Sequence, residues 1–430
     1  MAGEPIDPGG LLACKMICVA AAGMAGCAIA AATSAHAGDI EAPGESDDSG
    51  ITTEAHAPAS ADPDDIGPNT TFELGGAIRV NAYQKSWERA GKRRKLSENI
   101  RLDAVMLDLD FQSGRWDGSA QYRLYYYSDT DRATHFPHHA WVGYQLDANQ
   151  KIQAGIQKVP FGLLPFASNN FFFSLAFYTG LEDDYDAGFN YRRDSGPWTV
   201  DVAFFPSDEG SWGGNSNDSA RYSYDVVSDG IRKNGERHQF NLRVARAFSL
   251  QNGLHGEAGI SLQYGLLPNS ITGRNGHQNA EALHADLHYG DWNLKTEAVR
   301  YRYDVANPPG QDDRYVLMGA FDFPYRVAAG GQIYVASLSH AWEIPGTLLD
   351  SITVYNDYSY FKKTESGYAD SQQEVLGAGF DFDGPLYVTT DIALGQNNAY
   401  IGPDFTNAFA AGNQDNGWSS RLNLNVALYF

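Results

Sequence analysis

The chain has 430 residues, of which 43% are apolar and 20% charged, and it carries a formal net charge of −22. That balance excludes a broadly disordered chain and a helical membrane protein, and past the N-terminal region no stretch approaches the roughly 20 apolar residues of a helical span. Glycine (45) and tyrosine (25) are plentiful while methionine (5) is scarce, a usage that suits a twisted sheet with aromatic borders better than a helical bundle.

Lys15 precedes an apolar run that begins at Met16, and Ala35-His36-Ala37 makes a small-x-small cleavage site, so residues 1–37 read as a signal peptide. The acidic prefix MAGEPIDPGG is unusual before such a run and points to initiation nearer Met16. Cys14, Cys18 and Cys27 all fall inside this segment, so the mature chain is expected to have neither disulfides nor a thiolate metal site. A weaker reading takes Met24-Ala25-Gly26-Cys27 as a lipoprotein processing site without its leading leucine. Residues 38–70 are rich in Ala, Pro, Ser, Asp and Gly and nearly free of large apolar side chains. Such a segment cannot offset its ordering entropy by burial and is expected to be a disordered acidic periplasmic lead-in.

From Phe72 onward the apolar residues recur with period two, the spacing that sends alternate side chains to opposite faces of a sheet. Phe240, Leu242 and Val244 oppose Gln239, Asn241 and Arg243; Leu422, Leu424, Val426, Leu428 and Phe430 oppose Arg421, Asn423, Asn425 and Tyr429. Aromatics gather near segment ends, among them Tyr83, Trp116, Trp198, Trp292 and Trp418. Short turns at Ser113-Gly114, Asp147-Asn149, Asp194-Gly196, Gln251-Gly253, Gly290-Asp291, Pro324-Tyr325 and Asp383-Pro385 alternate with longer polar connections. Apolar-out, polar-in strands with aromatic girdles and unequal connections describe an all-β, transmembrane antiparallel meander β-barrel spanning 71–430. Seventeen strand-like segments are visible, whereas a closed bacterial barrel needs an even number. Assigning 347–361 to an external connection gives sixteen strands; finding it a missing partner gives eighteen. A soluble sandwich or solenoid is the alternative to the barrel, and no fixed-length repeat supports the latter.

The terminal run Val426-Ala427-Leu428-Tyr429-Phe430 resembles the signal by which outer-membrane barrels are recognised by their assembly machinery. The run KVPFGLLPFASNNFFFSLAFYTGLEDDYDAGFNY from Lys158 to Tyr191 resembles the fifth strand, inward third loop and sixth strand of phosphate-selective-type outer-membrane porins. RYSYDVV, ERHQFNLRVARAF and VYNDYSYF are similar to other recurring segments of that superfamily. The resemblance implies a homotrimer of sixteen-stranded monomers, each with its own pore, in the outer membrane of a Gram-negative-type bacterium.

Within such a pore, loop 160–184 is the expected constriction, because its many phenylalanines are costly to display to water. Glu182, Asp183 and Asp184 are expected near the eyelet, with Lys158 and Arg192 as its cationic side and Arg123 and Arg243 as further candidates. The lumen-facing register adds Arg237, Arg421 and Lys151, opposed by acids at Asp108, Asp110, Glu257, Asp286, Asp322 and Asp391. Opposed patches create a transverse field that orients dipolar solutes. This mixed lining departs from the uninterrupted basic ladder of the phosphate-selective branch.

No nucleophile elbow, HExxH segment, glycine-rich phosphate loop or nucleic-acid motif stands out, so neither catalysis nor a cofactor nor a nucleic-acid partner is expected. His284, Asp286 and His288 share a strand face but lie about 7 Å apart at each step, too far for one compact metal site. The expected function is passive diffusion of small polar or charged solutes, with lipid and lipopolysaccharide as surroundings. The alternatives are an anion- or phosphate-selective channel and a non-conducting structural or adhesion protein.

Overall fold

Alternating side chains translate into long strands along nearly the whole described chain. The computed structural model describes residues 70–88, 95–127, 132–228, 230, 232–413 and 415–430, so the expected signal peptide and all but the last residue of the expected lead-in lie outside the described residues. The strands are β1 (Thr70–Lys85), β2 (Ile100–Ser113), β3 (Trp116–Tyr127), β4 (Arg132–Asp147), β5 (Gln150–Lys158), β6 (Tyr185–Ser195) and β7 (Trp198–Asp208). They continue with β8 (Asp225–Val226), β9 (Arg237–Ser249), β10 (His255–Pro268), β11 (Asn275–Tyr289), β12 (Trp292–Asp304), β13 (Tyr315–Ala320) and β14 (Phe323–Ala328). The last are β15 (Gly330–Glu343), β16 (Leu349–Lys363), β17 (Ser371–Phe382), β18 (Leu386–Gln396) and β19 (Trp418–Tyr429).

Sixteen of these close into one antiparallel barrel, while β8, β13 and β14 form a separate three-stranded sheet. Closure joins β1 to β19, with Ala77 opposite Tyr429 and Lys85 opposite Arg421. No barrel strand is left with an unpaired edge, which is what the hydrocarbon of a membrane demands.

The two faces differ as the alternation requires. On β9 and β10 the inward Gln239, Asn241, Arg243, Ser261 and Gln263 are buried, while the outward Phe240, Leu242, Ile260, Leu262 and Tyr264 are exposed. Leu107, Phe189, Leu283, Leu376 and Ile392 continue the outer apolar band. An exposed surface of this kind is stable against lipid and not against water. The hydrophobic core therefore lies inside the barrel, around the connection between β5 and β6.

The strand count of sixteen holds, but the segment set aside to reach it does not. Residues 347–361, placed in an external connection by the parity argument, fall almost entirely in barrel strand β16 (Leu349–Lys363), paired on both sides by β15 and β17. The surplus pair is β13–β14: Pro324 and Tyr325, expected as a periplasmic turn, lie within β14, the hairpin turns at Phe321-Asp322, and the whole hairpin belongs to the connection between β12 and β15. Length separates the two cases: β16 has 15 residues, whereas β13 and β14 have 6 each, too few for the roughly 9–11 that a tilted spanning strand needs. Asp322 accordingly leaves the lumen; its buried carboxylate accepts the Asn215 N–H at 2.9 Å and also that of Ser216.

A closed barrel loses all its strand pairing together, so extraction of one strand is expensive. In mild detergent the folded chain is expected to run as a compact species that shifts to the mobility of the unfolded chain only on boiling. Identical gel mobility with and without heating would contradict a closed barrel.

Candidate functional site

The connection 159–184 leaves β5 and returns to β6 with its base closed by Val159 N–H donating to Asp184 O at 2.8 Å. Between those points it crosses the lumen and bonds to the far wall. Gly162 N–H donates to Ser261 Oγ of β10 at 3.0 Å and Leu163 N–H to Glu297 Oε2 of β12 at 2.6 Å. Asp357 of β16 accepts Asn169 N–H at 2.6 Å and Asn170 Nδ2 at 2.7 Å. Ser337 Oγ of β15 donates to Ala167 O at 2.7 Å, and Gln373 Nε2 of β17 to Phe173 O at 2.6 Å. Gly162 has φ 67° and lies against the Glu297 carboxylate where a Cβ would stand, so both space and backbone favour glycine here.

The aromatic residues of the loop pack among themselves and under the external connections. Phe173 stacks on Phe177 at 4.2 Å between centroids and Tyr178 on Tyr400 at 4.5 Å. Tyr325 and Tyr303 each donate a hydroxyl hydrogen bond to the loop backbone, at Tyr178 O and Thr179 O, both 2.7 Å. The loop is thus held by the barrel, through Tyr303 of β12 among others, and through Tyr325 by the separate β8–β13–β14 sheet, which forms a cap over it.

Between the loop and the wall formed by β1, β2, β3 and β19 lies a cavity of about 580 Å³. On the wall side stand Arg79, Lys85, Arg101, Arg123 and Arg421, with Asp103 as the one acid among the described residues. Facing them are Phe171, Phe172, Phe173, Phe177 and Tyr178 of the loop, Tyr222 and Tyr224 of the cap, and Tyr400. Arg79 pairs with Asp103 at 2.9 Å. The Arg421 guanidinium lies 4.7 Å from the Tyr83 ring centroid and 4.9 Å from that of Phe172; that of Arg123 lies 4.8 Å from Tyr222. Cations over ring faces keep their charge while shielding the apolar surface. The described cations all stand on the barrel wall, interleaved with Tyr83, Trp87 and Tyr125, and the side facing them is aromatic.

Several residues singled out in the sequence are elsewhere. Glu182 is a fastener inside the loop: it accepts Ala167 N–H at 2.9 Å, Ser168 Oγ–H at 3.1 Å and Ser174 N–H at 3.1 Å, and also the Ser174 hydroxyl. Burial raises its carboxyl above the ordinary range even though those bonds pull it back. Asp183 is buried, 3.1 Å from Lys158 Nζ, and accepts the Tyr222 hydroxyl. Lys158 also donates to Pro165 O at 3.3 Å, so it clamps the two ends of the loop. Asp184 is buried as well.

Arg192 is not beside the loop. The register sets Lys158 opposite Tyr185 but Arg192 opposite Lys151, seven positions further down β6, about 23 Å at roughly 3.3 Å per residue; there it is exposed and pairs with Asp194 at 3.4 Å. Arg237 is turned out of the lumen by a bulge at His238 (φ 52°), which puts it opposite outward Leu266. Arg243 keeps its inward face and spends its Nε–H on Gly162 O at 2.9 Å while pairing with Glu257. Asp108 and Asp110, opposite Gln121 and Ser119, lie toward the short-turn end of β2 and away from the cavity. Arg123 and Arg421 line the cavity.

No protein-family model and no curated protein matches the chain. Solved structures do. The outer membrane channel DcaP of Acinetobacter baumannii gives a TM-score of 0.51 at 12% identity, over 84% of this chain and 98% of its own. The anion-selective porin from Comamonas acidovorans gives 0.51 at 12% identity, over 84% of this chain and all 100% of its own. The outer-membrane expressed OmpT of Vibrio cholerae gives 0.50 at 12% identity, over 85% and 99%.

The fold is that of the outer-membrane porins. A closed sixteen-stranded barrel with an apolar outer band places the chain in an outer membrane of Gram-negative type. At this identity the likeness is one of fold.

Sequence reasoning missed Arg79, Lys85 and Arg101, and with them the weight of charge on one wall. A signal for two of them was present: Arg79, Asn81, Tyr83 and Lys85 follow one another at period two within β1. The aromatic wall had no such signal, because Tyr222, Tyr224 and Tyr400 reach it from connections far apart in the chain.

Proposed function

We propose that the chain is a passive outer-membrane channel for small hydrophilic solutes that prefers anions carrying a flat apolar body, aromatic carboxylates being the type case. The observation that carries this reading is the cavity that has, among the described residues, five basic side chains and one acid on its barrel wall and aromatic rings facing them. Guanidinium groups bind carboxylates through directed, charge-assisted hydrogen bonds. Ring faces offer offset stacking to an aromatic body without asking it to shed polar contacts. A bare phosphate would use the first wall and gain nothing from the second, which ranks it below an aromatic carboxylate. The homotrimer implied by the resemblance noted above belongs to the same proposal.

The test is electrical. Reconstituted in a planar bilayer under a KCl gradient, the protein is expected to give a reversal potential of the sign that marks chloride as more permeant than potassium. Millimolar benzoate is expected to reduce the chloride current more than acetate does. A cation-selective channel, or equal effects of benzoate and acetate, would overturn the preference while leaving the channel; an inserted barrel with no conductance would overturn both.

A further inference from the structure

Where the inward loop ends, three carboxylates from separate parts of the chain meet in the interior. Asp184 closes the loop, Asp186 lies at the start of β6 on its buried face, and Asp225 stands on β8 of the cap sheet. One oxygen from each lies within 4.8 Å of the other two. Asp184 is 7% exposed, and Asp186 and Asp225 are 2% exposed. Three like charges this close and this far from water cannot all remain ionised without a counter-charge.

The protein's own cations do not supply it. Arg221 is nearest and reaches Asp225 at 2.6 Å, but it also serves Asp218 at 3.1 Å, Asp208 at 3.3 Å and Glu209 at 3.5 Å. Among the described residues neither Asp184 nor Asp186 forms an ion pair. Asp186 accepts one hydrogen bond, from Gln239 Nε2 at 3.1 Å. The Oδ1 atoms of Asp184 and Asp186 are buried with no hydrogen-bond partner at all. Buried polar atoms are seldom left so, and each orphan costs the desolvation of a charged group.

We propose that Asp184, Asp186 and Asp225 bind a divalent cation of the hard, oxygen-preferring class, calcium before magnesium. Calcium–oxygen distances of about 2.3–2.6 Å allow two ligands of one ion to lie up to about 5 Å apart, and the three oxygens meet that limit. With carboxylates alone and no thiolate or imidazole in the set, zinc and the softer metals are disfavoured. Magnesium holds its water shell and favours sites that leave it several waters, which a dry pocket denies. The ion would bridge β6 at the loop exit to β8, and β8 pairs with β13, so binding would fasten the cap sheet over the constriction. The bridge is independent of which solute the pore passes.

Protons are the competing answer. Burial, then the neighbouring charge of Asp225, pushes the Asp184 carboxyl well up; burial raises that of Asp225 against the pull of Arg221, and raises Glu236 beside them to about 8. Calorimetric titration of the EDTA-treated, folded protein with calcium chloride and with magnesium chloride separates the two. One calcium per chain is expected, with Asp184→Asn and Asp225→Asn each weakening it about tenfold or more and the exposed-site control Glu343→Gln leaving it unchanged. Absence of binding in the folded wild type, or binding indifferent to both Asn variants, overturns the site. Since an Asn variant can fail to fold, hydrogen exchange of the wild type with calcium against EDTA gives the second reading. Slower exchange confined to residues 184–186 and 219–228 is expected; unchanged exchange there overturns the proposal irrespective of the variants.

Discussion

Removing the guanidinium groups of Arg123 and Arg421 together is expected to collapse the chloride preference and most of the benzoate effect. Both line the cavity wall opposite the aromatic face. A hydrogen bond to a charged group contributes about 1.5–3 kcal/mol, so each lost contact should weaken carboxylate binding by about tenfold or more. Alanine also exposes the rings those cations cover, Tyr222 for Arg123 and Tyr83 and Phe172 for Arg421. For that reason the lysine pair is the informative companion. It restores charge without the fork, and is expected to recover chloride preference and not benzoate discrimination. Reversal potentials on the double Ala and double Lys variants measure both effects. A double Ala channel with unaltered selectivity would mean that the field in the pore is set elsewhere.

The second large effect is on conductance. Replacing residues 163–181 by a short Gly-Ser linker is expected to raise single-channel conductance severalfold, because the segment crosses the lumen and its aromatic residues fill the interior. A gentler change isolates the tether. Asp357 accepts three bonds from Asn169 and Asn170, and Asp357→Ala leaves those donors without their acceptor. That variant should keep the barrel and its heat-modifiable gel shift while adding rapid current fluctuations as the loop detaches. If neither variant differs from wild type in planar-bilayer recordings with folding verified, the passage is limited by another element.

The fold was legible because its signal is local. Period-two alternation assigns each side chain to a face from its immediate neighbours, so Gln121 and Arg123 inward and Tyr122 and Leu124 outward follow from the sequence and hold in the barrel. Unequal connections and an even strand count then give the meander and its sixteen strands. Alternation says nothing about partners, however, and a hairpin of two six-residue strands such as β13–β14 alternates as well as a spanning strand does. Only pairing showed that β16 belongs to the wall and the hairpin to the cap.

The site depended on contacts that no local pattern encodes. Glu182 reads as an eyelet acid at a loop end, yet the loop folds back on it and makes it a buried acceptor. Arg192 is near the loop in sequence and far from it along the barrel, since a strand carries the chain away at about 3.3 Å per residue. Arg237 changes face through a single bulged residue at His238. The partners of the loop lie up to 200 positions away, as with Gln373 and Phe173. Composition and alternation therefore determined what kind of surface each strand presents to lipid and to water. Register, closure and the path of one loop across the lumen decided which charges meet which rings, because those are distances between residues that only the closed barrel brings together.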